Sequence, residues 1–107
     1  MEPRVMLHLP RTARRGQVVE IRTLIAHPME SGFRPDAGGS LVPRDIIRGF
    51  RCTWNGEVVM EAELFPAIAA NPFLSFRTIA TESGVVRFEW TDDQGRVRVE
   101  ESRIEVV

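Results

Sequence analysis

The segment "DIIRGFRCTWNGEVVMEAEL" (Asp45–Leu64) decides the fold. Asn55-Gly56 stands in it between two runs of alternating apolar residues. Both residues tolerate the positive φ of a type I′ turn, so the pattern predicts a β-hairpin of Asp45–Trp54 and Glu57–Leu64. Strand side chains alternate between faces. Phe50, Cys52 and Trp54 then share one face of the first arm. Val58, Met60, Ala62 and Leu64 share one face of the second, with Glu61 and Glu63 turned away.

The same pattern recurs on either side. Val5–Leu9 reads as a short strand closed by Pro10. Gln17–His27 places Val19, Ile21, Thr23 and Ile25 on one face and Glu20 and Arg22 on the other. Pro28 ends it, and residues 29–44 read as a long loop by their Gly, Pro, Ser and Asp content. Phe73–Ala80 is a further strand. Val85–Thr91 points Val86, Phe88 and Trp90 one way and Arg87 and Glu89 the other. Residues 92–95 make a tight connection to Arg96–Val106. In that last strand Val97 and Val99 are odd-numbered, while Ile104 and Val106 are even. A continuous strand does not bury both pairs, which predicts a β-bulge near Glu101-Ser102. No segment has a helical period; Phe65–Ala70 has room for one turn. The expected fold is all-β: an immunoglobulin-like antiparallel β-sandwich of about seven strands, without the Cys–Trp–Cys framework of antibody domains.

The 107 residues fit a single domain, 1–107. A net charge of −1 gives no footing for nucleic acid, which needs clustered positive charge. Arg11, Arg14 and Arg15 form the one basic cluster and read as a solvated loop. Nothing in the sequence is apolar enough for a signal peptide or for membrane insertion, so composition by itself points to the cytoplasm. Cys52 is the only cysteine.

The search for chemistry yields little. A blue-copper site takes two His and a Cys, but His8 and His27 both precede Cys52 and no imidazole follows it. One Cys and two scattered His fall short of structural zinc. Cys52, between Phe50 and Trp54, reads as a small buried hydrophobe. A nucleophilic role would need His27 within hydrogen-bond reach. Glu61/Glu63 and Asp92/Asp93 lie on a solvent face or in a turn, without the opposed environments that separate an acid from a base. The expectation is no catalytic residue, no cofactor and no metal: a protein that binds.

The candidate binding surface is "LFPAIAANPFLSF" (Leu64–Phe76), apolar and without charge. Connections between strands are normally polar. Phe65, Pro66, Ile68, Pro72 and Phe73, if exposed, form the contiguous patch that marks a partner site. Prolines reduce the ordering cost of a docking loop, and Asn71 offers a polar handle at the turn. Alternation sends Leu74 and Phe76 to the core and Phe73 to the other face. The competing reading is a loop folded back to close the sandwich. In the loop after His27, Met29 and Phe33 are candidate anchors, and Arg34 and Arg44 candidate partners for carboxylates on another protein; a plain solvated loop is the alternative.

"RTLIAHPMESGFR" (Arg22–Arg34), "VPRDIIRGFRCTWNGEVVMEAELFPAIAANPFLSF" (Val42–Phe76), "TESG" (Thr81–Gly84) and "FEWTDDQG" (Phe88–Gly95) together resemble the SoxZ family of the bacterial sulfur-oxidising (Sox) system. The resemblance covers most of the chain in the same order. It implies a noncatalytic subunit that pairs with a SoxY-like protein, whose flexible glycine-rich arm carries the cysteine that holds sulfur intermediates during thiosulfate oxidation. This chain ends RIEVV, with neither a terminal Cys nor a glycine run. The implied role is to stabilise SoxY and help dock the heterodimer, transiently, to other Sox enzymes. The resemblance also moves the expected compartment to the periplasm, reached folded with a signal-bearing partner.

Overall fold

The computed structural model describes residues 3–66, 68 and 70–107. Eight strands are present among them: β1 (Val5–His8), β2 (Thr12–Ala13), β3 (Val18–Ile25), β4 (Ile47–Trp54), β5 (Glu57–Glu63), β6 (Phe73–Ile79), β7 (Gly84–Asp92) and β8 (Val97–Val106). They form two sheets, in the orders β1-β3-β6 and β2-β8-β7-β4-β5. The fold is the expected all-β sandwich. The additional strand is β2, which pairs in parallel with β8. Two residues are too few for alternation to reveal it.

The Asn-Gly hairpin forms as read, with φ of 50° at Asn55 and 83° at Gly56. The Asn55 side chain also ties the turn to β7. Its Oδ1 accepts from the Val85 amide (3.2 Å) and its Nδ2 donates to the Ser83 carbonyl (3.1 Å). Gly84 permits this approach: a Cβ there would lie 1.7 Å from Asn55 Oδ1. Trp54 Nε1 donates to the Glu82 carbonyl at 2.9 Å, so the buried indole leaves no donor unpaired.

Two sequence expectations need correction. The β4–β5 register runs Cys52↔Met60 and then Thr53↔Val58, so Val59 is an extra residue, a bulge. Val59 takes the inward place expected for Val58, which is 51% exposed. Strand β8, in contrast, has no break: its pairing with β7 is continuous from Gly84↔Ile104 to Thr91↔Val97. The bulge expected at Glu101-Ser102 assumed that Val97 is buried, and it is 50% exposed. The even face of β8 points inward throughout, and its charged end is neutralised locally. Arg98 pairs with Glu100 at 2.7 Å and donates to the Pro3 carbonyl.

The core lies between the sheets. Val19, Ile21 and Ile25 of β3 face Phe50, Cys52 and Trp54 of β4 and Val86, Phe88 and Trp90 of β7, all buried. Phe88 and Trp90 stack at 6.2 Å, and Phe50 meets Trp90 at 5.4 Å. Each such side chain contributes about 1.5–3 kcal/mol by leaving water. Phe76 packs edge-on against Phe50 at 5.9 Å, which sets β6 over β4.

A candidate partner-binding surface

The strand pairings assemble an apolar surface that the loop alone does not disclose. Met6 is opposite Leu24, and Leu24 is opposite Phe73. These three form one cross-strand row on the outer face of the three-stranded sheet. Met6 is 62% exposed and Phe73 57%. At the far end of the same face Val18 is opposite Ile79, both exposed. Met6, Leu24, Val18 and Ile79 were missed as site candidates because each is unremarkable within its own strand. Only the register brings them together.

Phe65 is 60% exposed and Ile68 is exposed beyond the end of β5, extending the apolar character from the sheet into the connection. The Ile68 amide donates to the Phe65 carbonyl at 3.0 Å, the single turn expected there. Ala67 and Ala69 lie outside the described residues. Pro66 is half-buried and Pro72 buried, so Pro72 is a fixed support and its expected place at the surface is corrected. Its carbonyl accepts from Ile25 N, extending the β3–β6 ladder.

Asn71 anchors the loop. It adopts φ of 55°, which Asn tolerates better than most residues. Its amide donates to the His27 carbonyl (2.7 Å), and its Oδ1 accepts from the His27 amide (2.9 Å). This two-way clasp joins the apolar loop to the end of β3. The clasp fixes the base of the loop, and a surface ordered beforehand loses less entropy on docking.

The loop after His27 corrects two further expectations. Met29 is buried, 6% exposed, with φ of 53°. Its Sδ accepts from the Ile47 amide at 3.2 Å, so it packs the core end and is not a surface anchor. Arg34 is exposed but closes a two-pronged pair with Glu30 (2.6 and 3.2 Å), and Arg44 does the same with Asp93 (2.8 and 3.1 Å). Their charges are satisfied within the chain. Phe33 remains 79% exposed, as an anchor requires.

Beneath this loop lies a charged cluster around Asp92, a residue that sequence reading placed in a turn. Asp92 is fully buried. Burial opposes its charge, but the amides of Arg96 and Gln94 and the Arg96 guanidinium (2.6 Å) together hold its carboxyl below the ordinary value. Arg96 also reaches Asp45 Oδ2 at 3.4 Å. The other oxygen of Asp45 is buried without a hydrogen bond, 3.9 Å from His27 Nε2. His27, Asp45 and Asp92 offer ligand atoms within 4.8 Å of one another. The arrangement does not suit a metal ion, because Arg96 already supplies the cation between the two carboxylates. His27 Nδ1 accepts from the Met29 amide at 3.0 Å, so this histidine braces the loop.

Cys52 is fully buried, and burial pushes its thiol up to about 12. A reactive thiol needs the opposite: exposure and an electropositive neighbour. The side-chain contacts of His27 go to Met29 and Asp45, away from any role as base to Cys52.

Solved structures share this fold. The superoxide reductase (neelaredoxin) from Ignicoccus hospitalis superposes with a TM-score of 0.72 at 16% identity, covering 96% of this chain and 80% of that one. A putative superoxide reductase from Thermotoga maritima gives 0.74 at 13% identity, covering 96% and 85%. The sulfur carrier protein SoxY from Chlorobium limicola f thiosulfatophilum gives 0.68 at 11%, covering 96% and 78%. At such identities the likeness is one of fold alone. No curated protein matches the sequence. The model of the family described as "Sulphur oxidation protein SoxZ" matches residues 6–103, nearly the whole chain, and the protein belongs to the SoxZ family.

Proposed function

We propose that this chain is the noncatalytic half of a heterodimeric sulfur carrier, pairing with a SoxY-like protein through the Met6–Leu24–Phe73 row and the loop of Phe65 and Ile68. The observation that carries this reading is the family match over residues 6–103. SoxY from Chlorobium limicola, itself a sulfur carrier protein, has the same fold. The two halves of the pair are then related sandwiches, one with the carrier cysteine and one without. Cys52 fits the second role, since a buried thiol with a raised pKa neither attacks nor accepts a sulfur intermediate. In the proposed setting the pair works in the periplasm, the chain being exported with its signal-bearing partner, and other Sox enzymes dock on the heterodimer.

Co-expression with a SoxY-like protein from the same genome tests the reading. A stable one-to-one complex is expected, and separate elution of the two proteins would count against it. Mass spectrometry of the turning-over complex should find sulfur adducts on the partner and none on Cys52. Cys52→Ala should cost about 1–2 kcal/mol of stability, the range of small cavity losses, and leave carriage intact.

A further inference from the structure

Among the described residues, one edge strand of the sandwich, β6, is the least protected. Edge strands invite pairing with other chains, and proteins blunt them by shortness, charge, proline or bulges. Among the described residues, β1 has four residues and β2 two. Strand β5 carries the Val59 bulge and exposed Glu57, Glu61 and Glu63. Strand β6 has seven residues, no proline, an unbroken register with β3, and Arg77 as its one charge.

The hydrogen-bond phase of β6 shows what its edge presents. Ile25 N donates to Pro72 O, and Ala80 N donates to Gln17 O, so even-numbered residues face β3 at both ends of the ladder. Antiparallel pairing alternates. The N–H and C=O groups of Phe73, Ser75, Arg77 and Ile79 therefore point to the open side, where β6 has no neighbouring strand.

The facing sheet has a place for one more strand. Strand β6 sits over β4 through Phe76 and Phe50, and β5 extends one strand beyond β4. The inward residues of β4 are buried, whereas Val59, Met60 and Ala62 of β5 are only half-buried, as are Leu74 and Phe76 of β6. A hollow of about 530 Å³ lies between these two edges, lined by Trp54, Val59, Thr78 and Ile79 and also by Glu57 and Glu82.

We propose that the β6 edge is a strand-addition site that takes one extended segment of a partner protein as a fourth strand over β5. Main-chain bonds to Phe73, Ser75, Arg77 and Ile79 hold such a segment, and alternate side chains set its specificity. Its inward side chains are apolar and cover Val59, Met60 and Ala62. Its outward side chains are apolar beside Phe73 and Ile79 and acidic beside Arg77, whose cross-strand neighbour Glu20 is already paired with Arg22. The site deepens the reading above, on which it rests only for the identity of the partner.

Residue-resolved amide exchange on the full chain, alone and with a SoxY-like protein, tests the proposal. Alone, the amides of Leu74, Phe76 and Thr78 should be protected and those of Phe73, Ser75, Arg77 and Ile79 should exchange rapidly. In the complex these four should slow by roughly tenfold or more. Ser75→Pro removes an outward N–H that the fold does not use, and should weaken association roughly tenfold with little change in Tm. Should that variant not fold, Arg77→Glu leaves the backbone intact, reverses the central charge and should also weaken association. A complex that forms with these four amides still exchanging freely overturns the proposal and leaves the functional reading standing. Absence of any complex defeats the functional reading instead. The edge is then decided on the concentrated chain, where pairing of two β6 edges should protect the same four amides; free exchange there overturns the proposal.

Discussion

The outer faces of the two sheets follow the same alternating pattern and arrive at opposite surfaces. On the five-stranded sheet the outward residues form a lattice of alternating sign. Arg51 pairs with Glu61 at 3.4 Å, Arg87 with Glu89 at 2.8 Å and with Glu101 at 4.0 Å, and Arg103 with Glu105 at 2.7 Å. On the three-stranded sheet, Arg22 and Glu20 pair at 2.8 Å in the middle, while Met6, Leu24 and Phe73 cross one end and Val18 and Ile79 the other. The first face also exposes Val58, Val85 and Val97, but these are scattered among the charges. The second leaves aromatic and aliphatic carbon exposed beside the least protected edge. Alternation says which side of a strand faces out; the charge carried by the outward residues says whether that side ends at solvent or at another protein.

The largest effect separates the core from both faces. Phe88 is fully buried between the sheets, and Phe88→Ala should cost about 3–5 kcal/mol by denaturant unfolding. The partner affinity of the remaining folded protein should not change. A large loss of affinity would mean that the core and the binding face are one unit, and the comparison would fail.

Next comes the cluster under the loop after His27. Asp92→Asn removes the buried carboxylate that faces Arg96 and should cost about 1–2 kcal/mol, less than a fully buried pair because Arg96 is partly exposed and keeps Asp45 as a partner. The pH dependence follows from the direction of the shift. The folded-state pKa of Asp92 lies below its unfolded value of about 3.9. Its contribution is therefore complete above that value and is lost as pH falls through the folded pKa. Asp93, held low by Arg44, acts in the same direction. Melts between about pH 2 and 5 should show the wild type losing stability on acidification, with a shallower loss in Asp92→Asn.

The smallest effect belongs to the charged lattice. Arg51→Ala or Arg87→Ala should alter stability and partner affinity by less than about 0.5 kcal/mol, as exposed ion pairs do. A larger change in affinity would move the interface to the five-stranded sheet.

Most of the fold was legible because burial imposes a period of two. The hairpin turn, the inward sets on β3, β4 and β7, and the outward direction of Phe73 all followed from it. The failures have local causes. Val59 displaces Val58 because a bulge adds one residue without a signal in the sequence. The odd valines of β8 suggested a bulge, yet exposure of Val97 removes the need for one. Met29 was placed at the surface and Asp92 in a turn, where loop residues and aspartates usually lie. Met29 is held by a long-range partner, Ile47, that sequence proximity does not disclose, whereas the partner of Asp92, Arg96, is only four residues on, and what sequence proximity does not disclose there is the burial of the turn itself. The apolar loop was visible as a run without charge, whereas the Met6–Leu24–Phe73 row required the register of three strands.

The most direct test of the account is calorimetric titration of a SoxY-like protein with the wild type and with Phe73→Ala. Phe73 lies where the apolar row, the loop and the open edge meet, and hot-spot truncations of this kind cost about 2 kcal/mol or more. The account predicts that Phe73→Ala weakens binding by about 30-fold or more, the equivalent of that energy, while its melting temperature stays near that of the wild type. Unchanged affinity, or a variant that unfolds without losing affinity, would contradict it and return Phe73 to the fold.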